Sequence, residues 1–143
     1  MGSVHIPSIT VEEAWERLER DPRAMLIDVR TRAEWAFVGV PDLRSLGKRP
    51  LFLEWQGFGE GPDPAFVEHA RDALASVGAD HDSELLFLCR SGARSLLAAQ
   101  ALAAAGYGRC RNVADGFEGP LDPAGHRGRL SGWKARELPW AQS

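Results

Sequence analysis

The sequence is poor in cysteine and has no long apolar run. Its two cysteines, Cys89 and Cys110, are too few for the disulfide framework of a small secreted domain. No stretch approaches the ~18 consecutive apolar residues that a membrane-spanning helix needs. Residues 1–7 lack the apolar segment of a secretory signal. These absences predict a cytoplasmic protein with reduced thiols.

An excess of positive charge is also absent. Lys and Arg number 17 against 20 Asp and Glu, which gives a net charge of −3 with histidine neutral, and no polybasic run occurs. Neither nucleic acid nor an anionic membrane is therefore an expected partner. The four histidines are scattered without the spacing of a ligand set, so no metal site is predicted.

The length and the order of elements predict one α/β domain. The chain has 143 residues, of which 44% are hydrophobic, as in an ordinary soluble domain. Predicted strands and helices alternate, which is typical of a mainly parallel sheet. Two capping boxes, Thr10 with Glu13 and Thr31 with Glu34, predict helix starts. The remaining predictions are helices at 65–77 and 95–105, a turn at 38–42, and strands at 24–27, 50–55, 84–88 and 109–113.

The segment after the predicted strand at 84–88 contains the candidate reactive residue, Cys89. That strand delivers Cys89 to the carboxyl edge of the sheet, where open α/β sheets bind ligands. A loop wound between the strand and the next helix points backbone N–H groups inward, and these donors favour an anion at its centre. We expect this anion to be the Cys89 thiolate, or a persulfide formed on it.

The composition of the loop supports this interpretation. Gly92 allows a tight curl, while Arg90 and Arg94 add positive charge, which favours a thiolate. The alternative is that Cys89 is only a small buried hydrophobic residue. Two arginines within five residues of a cysteine suit an anion site better than a packed core.

At this point the sequence resembles the single-domain rhodanese-like sulfurtransferases. The segment from Cys89 to Ser95 (Cys-Arg-Ser-Gly-Ala-Arg-Ser) resembles the family's active-site loop, with Cys89 at the nucleophile position. Two further segments, 28–35 and 112–119, resemble its other signatures. The resemblance covers about residues 8–119 and implies a three-layer domain with a five-stranded, mainly parallel sheet flanked by helices. Residues 120–143 form an irregular C-terminal extension of this domain.

The sequence departs from the family pattern in three places. The family usually follows its first signature with Gly-His-Ile-Pro-Gly-Ala, whereas residues 38–43 read Val-Gly-Val-Pro-Asp-Leu, without the histidine. Residues 44–64 and the extension exceed the minimal family domain. Both additions are candidates for shaping a particular substrate pocket.

The resemblance implies that sulfur is transferred in two steps through a Cys89 persulfide, without a metal or an organic cofactor. The donor is thiosulfate or another persulfide, including one on a protein, and the acceptor is a second thiophilic nucleophile. The persulfide would be cradled by the loop residues, which are Arg90, Ser91, Gly92, Ala93, Arg94 and Ser95.

Individual residues receive specific expectations. Arg90 is the candidate for binding the anionic end of the donor. Arg94 either shares that role or braces the loop by pairing with a carboxylate such as Asp28. Asp28 and Arg30 are supporting residues, and an ion pair between them would pin the end of their strand.

Several weaker candidates have two interpretations each. Cys110 is expected to be a buried, inert thiol rather than a partner for Cys89. The aromatic residues Trp35, Trp55 and Phe58 line the pocket mouth or pack in the core. Phe117 and Glu118 follow the last strand and are candidates for the mouth, and the basic stretch 125–129 is a candidate for contacting substrate.

Two other functions remain open. The first is a binding or persulfide-relay module that does not turn over small donors. The second is a cysteine phosphatase or arsenate reductase of the same fold. Those enzymes use Cys-x5-Arg, whereas here Arg94 lies five residues after Cys89 and Ser95 lies six after it, so the loop is one residue shorter.

Overall fold

The computed structural model describes residues 5–56 and 61–142. Phe58, one of the aromatic candidates, lies outside the described residues. The described part contains four α-helices, which are α1 (Val11–Arg20), α2 (Arg32–Val38), α3 (Phe66–Ser76) and α4 (Ala93–Ala104). Its strands are β1 (Ser8–Ile9), β2 (Met25–Asp28), β3 (Val40–Pro41), β4 (Leu51–Phe52), β5 (Leu85–Leu88), β6 (Cys110–Val113) and β7 (Trp140–Ala141).

Five of these strands form a single parallel sheet in the order β1-β6-β5-β2-β4. The expected α/β class and five-stranded sheet are confirmed. β2 pairs with β5 so that Met25 lies opposite Leu85 and Asp28 opposite Leu88. Because the two strands are parallel and end in register, Asp28 and Cys89 emerge at the same edge.

Helices cover both faces of the sheet and make three layers. Side chains alternate along a strand, so Leu85 and Phe87 of β5 pack with α3 and α4, whereas Leu86 and Leu88 pack with α1. All four side chains are fully buried. The continuous apolar run at 85–88 therefore matches a central strand that is covered on both faces.

Both predicted capping boxes are present. The Glu13 backbone N–H donates to Thr10 Oγ1 at 3.1 Å, and the Thr10 N–H donates to the Glu13 carboxylate at 3.0 Å. Thr31 and Glu34 repeat the arrangement at the start of α2. Local side-chain chemistry therefore sets where these two helices begin.

The C-terminal extension folds over the face of the sheet that α1 also covers. It consists mostly of turns, but Trp133 is fully buried among residues of α1, β5 and β6. The Trp133 indole N–H donates to the Pro139 carbonyl at 2.7 Å. Beyond it, β7 pairs antiparallel with β3. The turn predicted at 38–42 therefore also contains a short strand, whose partner lies about a hundred residues away in sequence.

Candidate active site

The cysteine loop joins β5 to α4 at the carboxyl edge of the sheet. Gly92 is the residue before the first turn of α4, with φ of 105°, and the helix starts at Ala93, two residues before the predicted start. An added Cβ at Gly92 would clash with the carbonyl oxygen of Ala114, so glycine is required here both by backbone conformation and by space.

The Cys89 sulfur lies at the floor of this loop and is 1% exposed. The Gly92 N–H donates to Sγ at 3.1 Å, and the Ser95 hydroxyl lies 3.2 Å from the same sulfur. The Gly92 N–H is therefore a donor to the sulfur at the start of a helix, whereas the Ser95 hydroxyl directs its single hydrogen to Asn112. A backbone N–H at a helix start favours an anionic ligand atom.

Asn112 is a site residue that the sequence analysis did not single out. The Ser95 hydroxyl donates to its Oδ1 at 2.6 Å, and its Nδ2 donates to the Gly92 carbonyl at 3.1 Å. Asn112 is almost fully buried, in the strand next to β5. The signal available in the sequence was its place near the end of the predicted strand 109–113, since parallel strands end at the ligand-binding edge.

The segment after β6 supports the loop from behind. The Phe117 N–H donates to the Cys89 carbonyl at 2.8 Å. The Glu118 and Gly119 N–H groups both donate to the Arg90 carbonyl, each at 3.1 Å. These bonds engage the carbonyls of Cys89 and Arg90 and so fix the backbone at the start of the loop.

Arg94 braces the loop, but its partner is Glu34 rather than Asp28. Two guanidinium nitrogens of Arg94 contact the two Glu34 carboxylate oxygens at 2.6 and 2.9 Å. Burial raises the pKa of Glu34, but hydrogen bonds from Arg94 and Thr31 outweigh it and hold the pKa below its ordinary value. The hydrogen bond to Glu34 correspondingly raises the pKa of Arg94.

Asp28 forms an ion pair with Arg30 instead. Both side chains are fully buried, and the nearest nitrogen–oxygen distance between them is 2.7 Å. Arg30 also donates to the Gly39 carbonyl at 2.9 Å, and its guanidinium lies 4.2 Å from the centre of the Phe117 ring. The pair holds the end of β2 against neighbouring segments and does not line the cleft.

A cleft of about 600 Å³ opens above Cys89. Arg94 and Glu34 neutralise each other on its wall, whereas Arg90 is exposed and forms no ion pair with any residue that the structure describes. Glu118 and Arg127 complete the charged lining. The full lining is Thr31, Ala33, Glu34, Val38, Gln56, Cys89, Arg90, Ser91, Ala93, Arg94, Glu118 and Arg127.

The other aromatic and cysteine candidates lie away from this cleft. Trp35 packs edge-on against Phe52, and Trp55 packs against Phe66, so neither lines the cysteine pocket. Cys110 begins β6 at the opposite edge of the sheet and is 3% exposed. Burial raises the pKa of its thiol to about 11, which makes it a poor nucleophile at neutral pH.

Two possible features are not found within residues 5–56 and 61–142. No group of three or more His, Cys, Asp or Glu side chains is arranged to hold a metal ion. None of the helices in this part of the chain is long and apolar enough to cross a membrane.

Comparison with known proteins identifies the class of this fold. The crystal structure of Rv0390 from M. tuberculosis superposes with a TM-score of 0.87 at 44% sequence identity, covering 98% of this chain and 100% of that chain. A human single-domain sulfurtransferase aligns with a TM-score of 0.50 at 27% identity, covering 79% of this chain and 93% of that one.

A curated relative points to the same class. The chloroplastic rhodanese-like domain-containing protein 4 of Arabidopsis thaliana is 26% identical over 134 residues, which are 93% of this chain and 25% of that protein. The fold is therefore rhodanese-like, as the sequence resemblance implied. Within this class, the family model of the STR4 middle domain matches residues 7–143. The chain belongs to the STR4 middle domain family, and the match runs through the C-terminal extension.

Proposed function

We propose that the protein is a sulfurtransferase that carries a sulfane sulfur on Cys89. The observation that carries the proposal is the placement of the Cys89 sulfur. It lies at the floor of a cationic cleft, with a backbone N–H donor at 3.1 Å and a hydroxyl at 3.2 Å. The N–H donor and the arginines of the cleft stabilise the negative charge that a thiolate or a terminal persulfide sulfur carries.

The reaction consists of two displacements at sulfur. The Cys89 thiolate attacks the outer sulfur of thiosulfate or of a persulfide donor. A new sulfur–sulfur bond forms, the donor's sulfur–sulfur bond breaks, and sulfite or a thiolate leaves with the electron pair. A thiophilic acceptor then attacks the outer sulfur of the Cys89 persulfide, and the Cys89 thiolate leaves with its electron pair.

The other loop residues have distinct proposed roles. Gly92 donates its N–H to the sulfur, and the Ser95 oxygen, whose own hydrogen goes to Asn112, is placed to accept the hydrogen of the Cys89 thiol. Arg90 binds the anionic end of the donor because its guanidinium is exposed and unpaired within the described part of the chain. Arg94 is assigned to bracing, since Glu34 already occupies its guanidinium.

The bidentate Arg94–Glu34 pair also weighs against a phosphatase or arsenate reductase. Those reactions need an arginine that turns into the loop and binds an oxyanion, whereas both terminal nitrogens of the Arg94 guanidinium contact Glu34. The proposed partners are a small sulfur donor and acceptor or a protein persulfide, with no nucleic acid or membrane, in the cytoplasm.

Intact-protein mass spectrometry after thiosulfate treatment tests the proposal. Wild type and Cys110→Ser should each gain one sulfur atom, which cyanide should remove, and Cys89→Ser should gain none. Failure of wild type to load sulfur from thiosulfate and from a protein persulfide would leave only a binding role. Loading of Cys89→Ser would refute the assignment of the nucleophile.

A further inference from the structure

The C-terminal extension contributes one charged side chain to the cleft. Arg127 lines the same cavity as Cys89 and Arg90, although it lies well beyond the last strand of the parallel sheet. It belongs to the basic stretch 125–129, which the sequence makes a candidate for contacting substrate. The structure places Arg127 of this stretch in the cleft.

Arg127 is held in position by hydrogen bonds that connect it to the cysteine loop. Its Nη1 donates to the Gly119 carbonyl at 2.8 Å, and the N–H of the following residue, Gly128, donates to the Glu118 carbonyl. The N–H groups of Glu118 and Gly119 in turn donate to the Arg90 carbonyl. The guanidinium is thus tied at one nitrogen, and its remaining donors are available to a ligand.

The charges of the lining leave an unneutralised excess. Three arginines and two carboxylates line the cleft, and one arginine, Arg94, is paired with Glu34. Arg90 and Arg127 form no ion pair with any residue in the described ranges, and Glu118 is the remaining carboxylate. Two cations from different segments therefore face one anion around the opening.

The size of the cleft indicates where the ligand charge lies. A volume of about 600 Å³ is in the range of sites for organic ligands and exceeds what a small inorganic donor fills. Arg90 neighbours Cys89 in the loop, whereas Arg127 comes from the C-terminal extension. A ligand that contacts both Cys89 and Arg127 reaches from the loop to the extension.

We propose that Arg127 is a specificity-determining residue, which selects sulfur donors with an anionic group set away from the transferable sulfur. The inference rests on the proposed function in that it assumes attack by Cys89 on a donor sulfur. It adds that the extension is part of the substrate site. Arg127 acts through charge and touches no reacting atom.

Thiol-specific reagents of different charge measure this selectivity without requiring turnover. The Cys89 thiolate attacks the alkylthio sulfur of a methanethiosulfonate, forming a mixed disulfide and releasing methanesulfinate with the bonding electron pair. The rate constant is measured with the anionic sulfonatoethyl reagent and with the neutral methyl reagent. The ratio of the anionic to the neutral rate constant reports the charge of the cleft. Modification of Cys89→Ser gives the rate at sites other than Cys89.

Arg127→Gln is the test variant and Arg129→Gln its matched control. Both remove one positive charge from the extension, but Arg129 does not line the cleft. We expect the anionic-to-neutral ratio to fall about three- to tenfold in Arg127→Gln. The ratio should stay unchanged in Arg129→Gln, and Arg127→Lys should largely restore it. Glu118→Gln should raise it.

An unchanged ratio in Arg127→Gln would overturn the inference, as would an equal fall in Arg129→Gln, because then only the general surface charge matters. Thermal melting of each variant verifies that the fold is intact. The ratio of modification rates can be measured whether or not the protein transfers sulfur. If wild type does not load sulfur but the ratio responds to Arg127, the sulfurtransferase proposal fails and the cleft assignment stands.

Discussion

The ion pair between Glu34 and Arg94 provides a quantitative test of how the loop is braced. Glu34→Gln preserves the shape of the side chain and the capping box, because glutamine also serves at that position. What it removes is the charge on one side of a bidentate pair whose side chains are 18% and 20% exposed. The substitution therefore isolates the contribution of the pair.

The expected loss follows from the geometry. Hydrogen bonds to charged groups contribute roughly 1.5–3 kcal/mol, and partial exposure of both side chains reduces this by screening. We expect Glu34→Gln to lower the free energy of unfolding by about 1.5 kcal/mol, or the melting temperature by about 5 °C. Urea denaturation at neutral pH measures the first and calorimetry the second.

Glu13→Gln is the matched control. Glu13 occupies the same position of the other capping box but accepts no hydrogen bond from an arginine. It should destabilise the protein less than Glu34→Gln does. Equal losses in the two variants would refute the argument that the pair with Arg94 stabilises the fold.

The pH dependence has a definite sign. The folded-state pKa of Glu34 lies below its ordinary value of 4.5. The stability from the pair is therefore fully present above pH 4.5 and is lost as the pH falls through the lowered folded-state pKa. The difference in stability between wild type and Glu34→Gln should accordingly shrink as the pH falls below 4.5.

Three further outcomes are expected. Gly92→Ala should lower the free energy of unfolding by more than about 2 kcal/mol, because the added carbon meets a backbone carbonyl. Gly78→Ala, also at positive φ but in open space, should cost only about 1 kcal/mol in the same denaturation experiment. Iodoacetamide at neutral pH should label Cys110→Ser as fast as wild type, since the Cys110 pKa is about 11; slower labelling would show that this thiol reacts. Asn112→Ala should slow sulfur loading at least tenfold, by about 1.4 kcal/mol or more in the barrier, because the Gly92 carbonyl and the Ser95 hydroxyl, which position the loop around the sulfur, each lose a partner. Loading at the wild-type rate would remove Asn112 from the site.

The sequence predicts the cysteine loop well because its determinants are local. A continuous apolar strand, a cysteine, a glycine and an Ala/Leu-rich helix follow one another, and the structure has the strand, the loop and the helix in that order. The capping boxes are equally local, since each depends on two residues three apart. The ends of helices are predicted less accurately, since the helix expected at 65–77 runs from Phe66 to Ser76.

The features missed by the sequence analysis depend on contacts between distant segments. Asp28 ends β2 and Glu34 lies in the helix that follows, and only the packing of α2 against the loop determines that Glu34 meets Arg94. Asn112 enters the site because β6 lies beside β5, which a single sequence does not reveal. The strand at 140–141 lacks the length and the alternation that would mark it, and its partner β3 lies about a hundred residues away in sequence.

The burial of Trp133 also gives the molecule an optical probe of its own. Of the five tryptophans, Trp133 is fully buried, whereas Trp140 is 40% exposed. The ring of Trp133 lies 6.0 Å from the ring of Trp15 in an edge-to-face arrangement, at the contact between the extension and α1. Release of the extension would move the Trp133 indole from an apolar surrounding into water, and its fluorescence would shift to longer wavelength. Because the extension also carries Arg127, the wavelength of this emission would report whether the extension is in place to complete the cleft above Cys89.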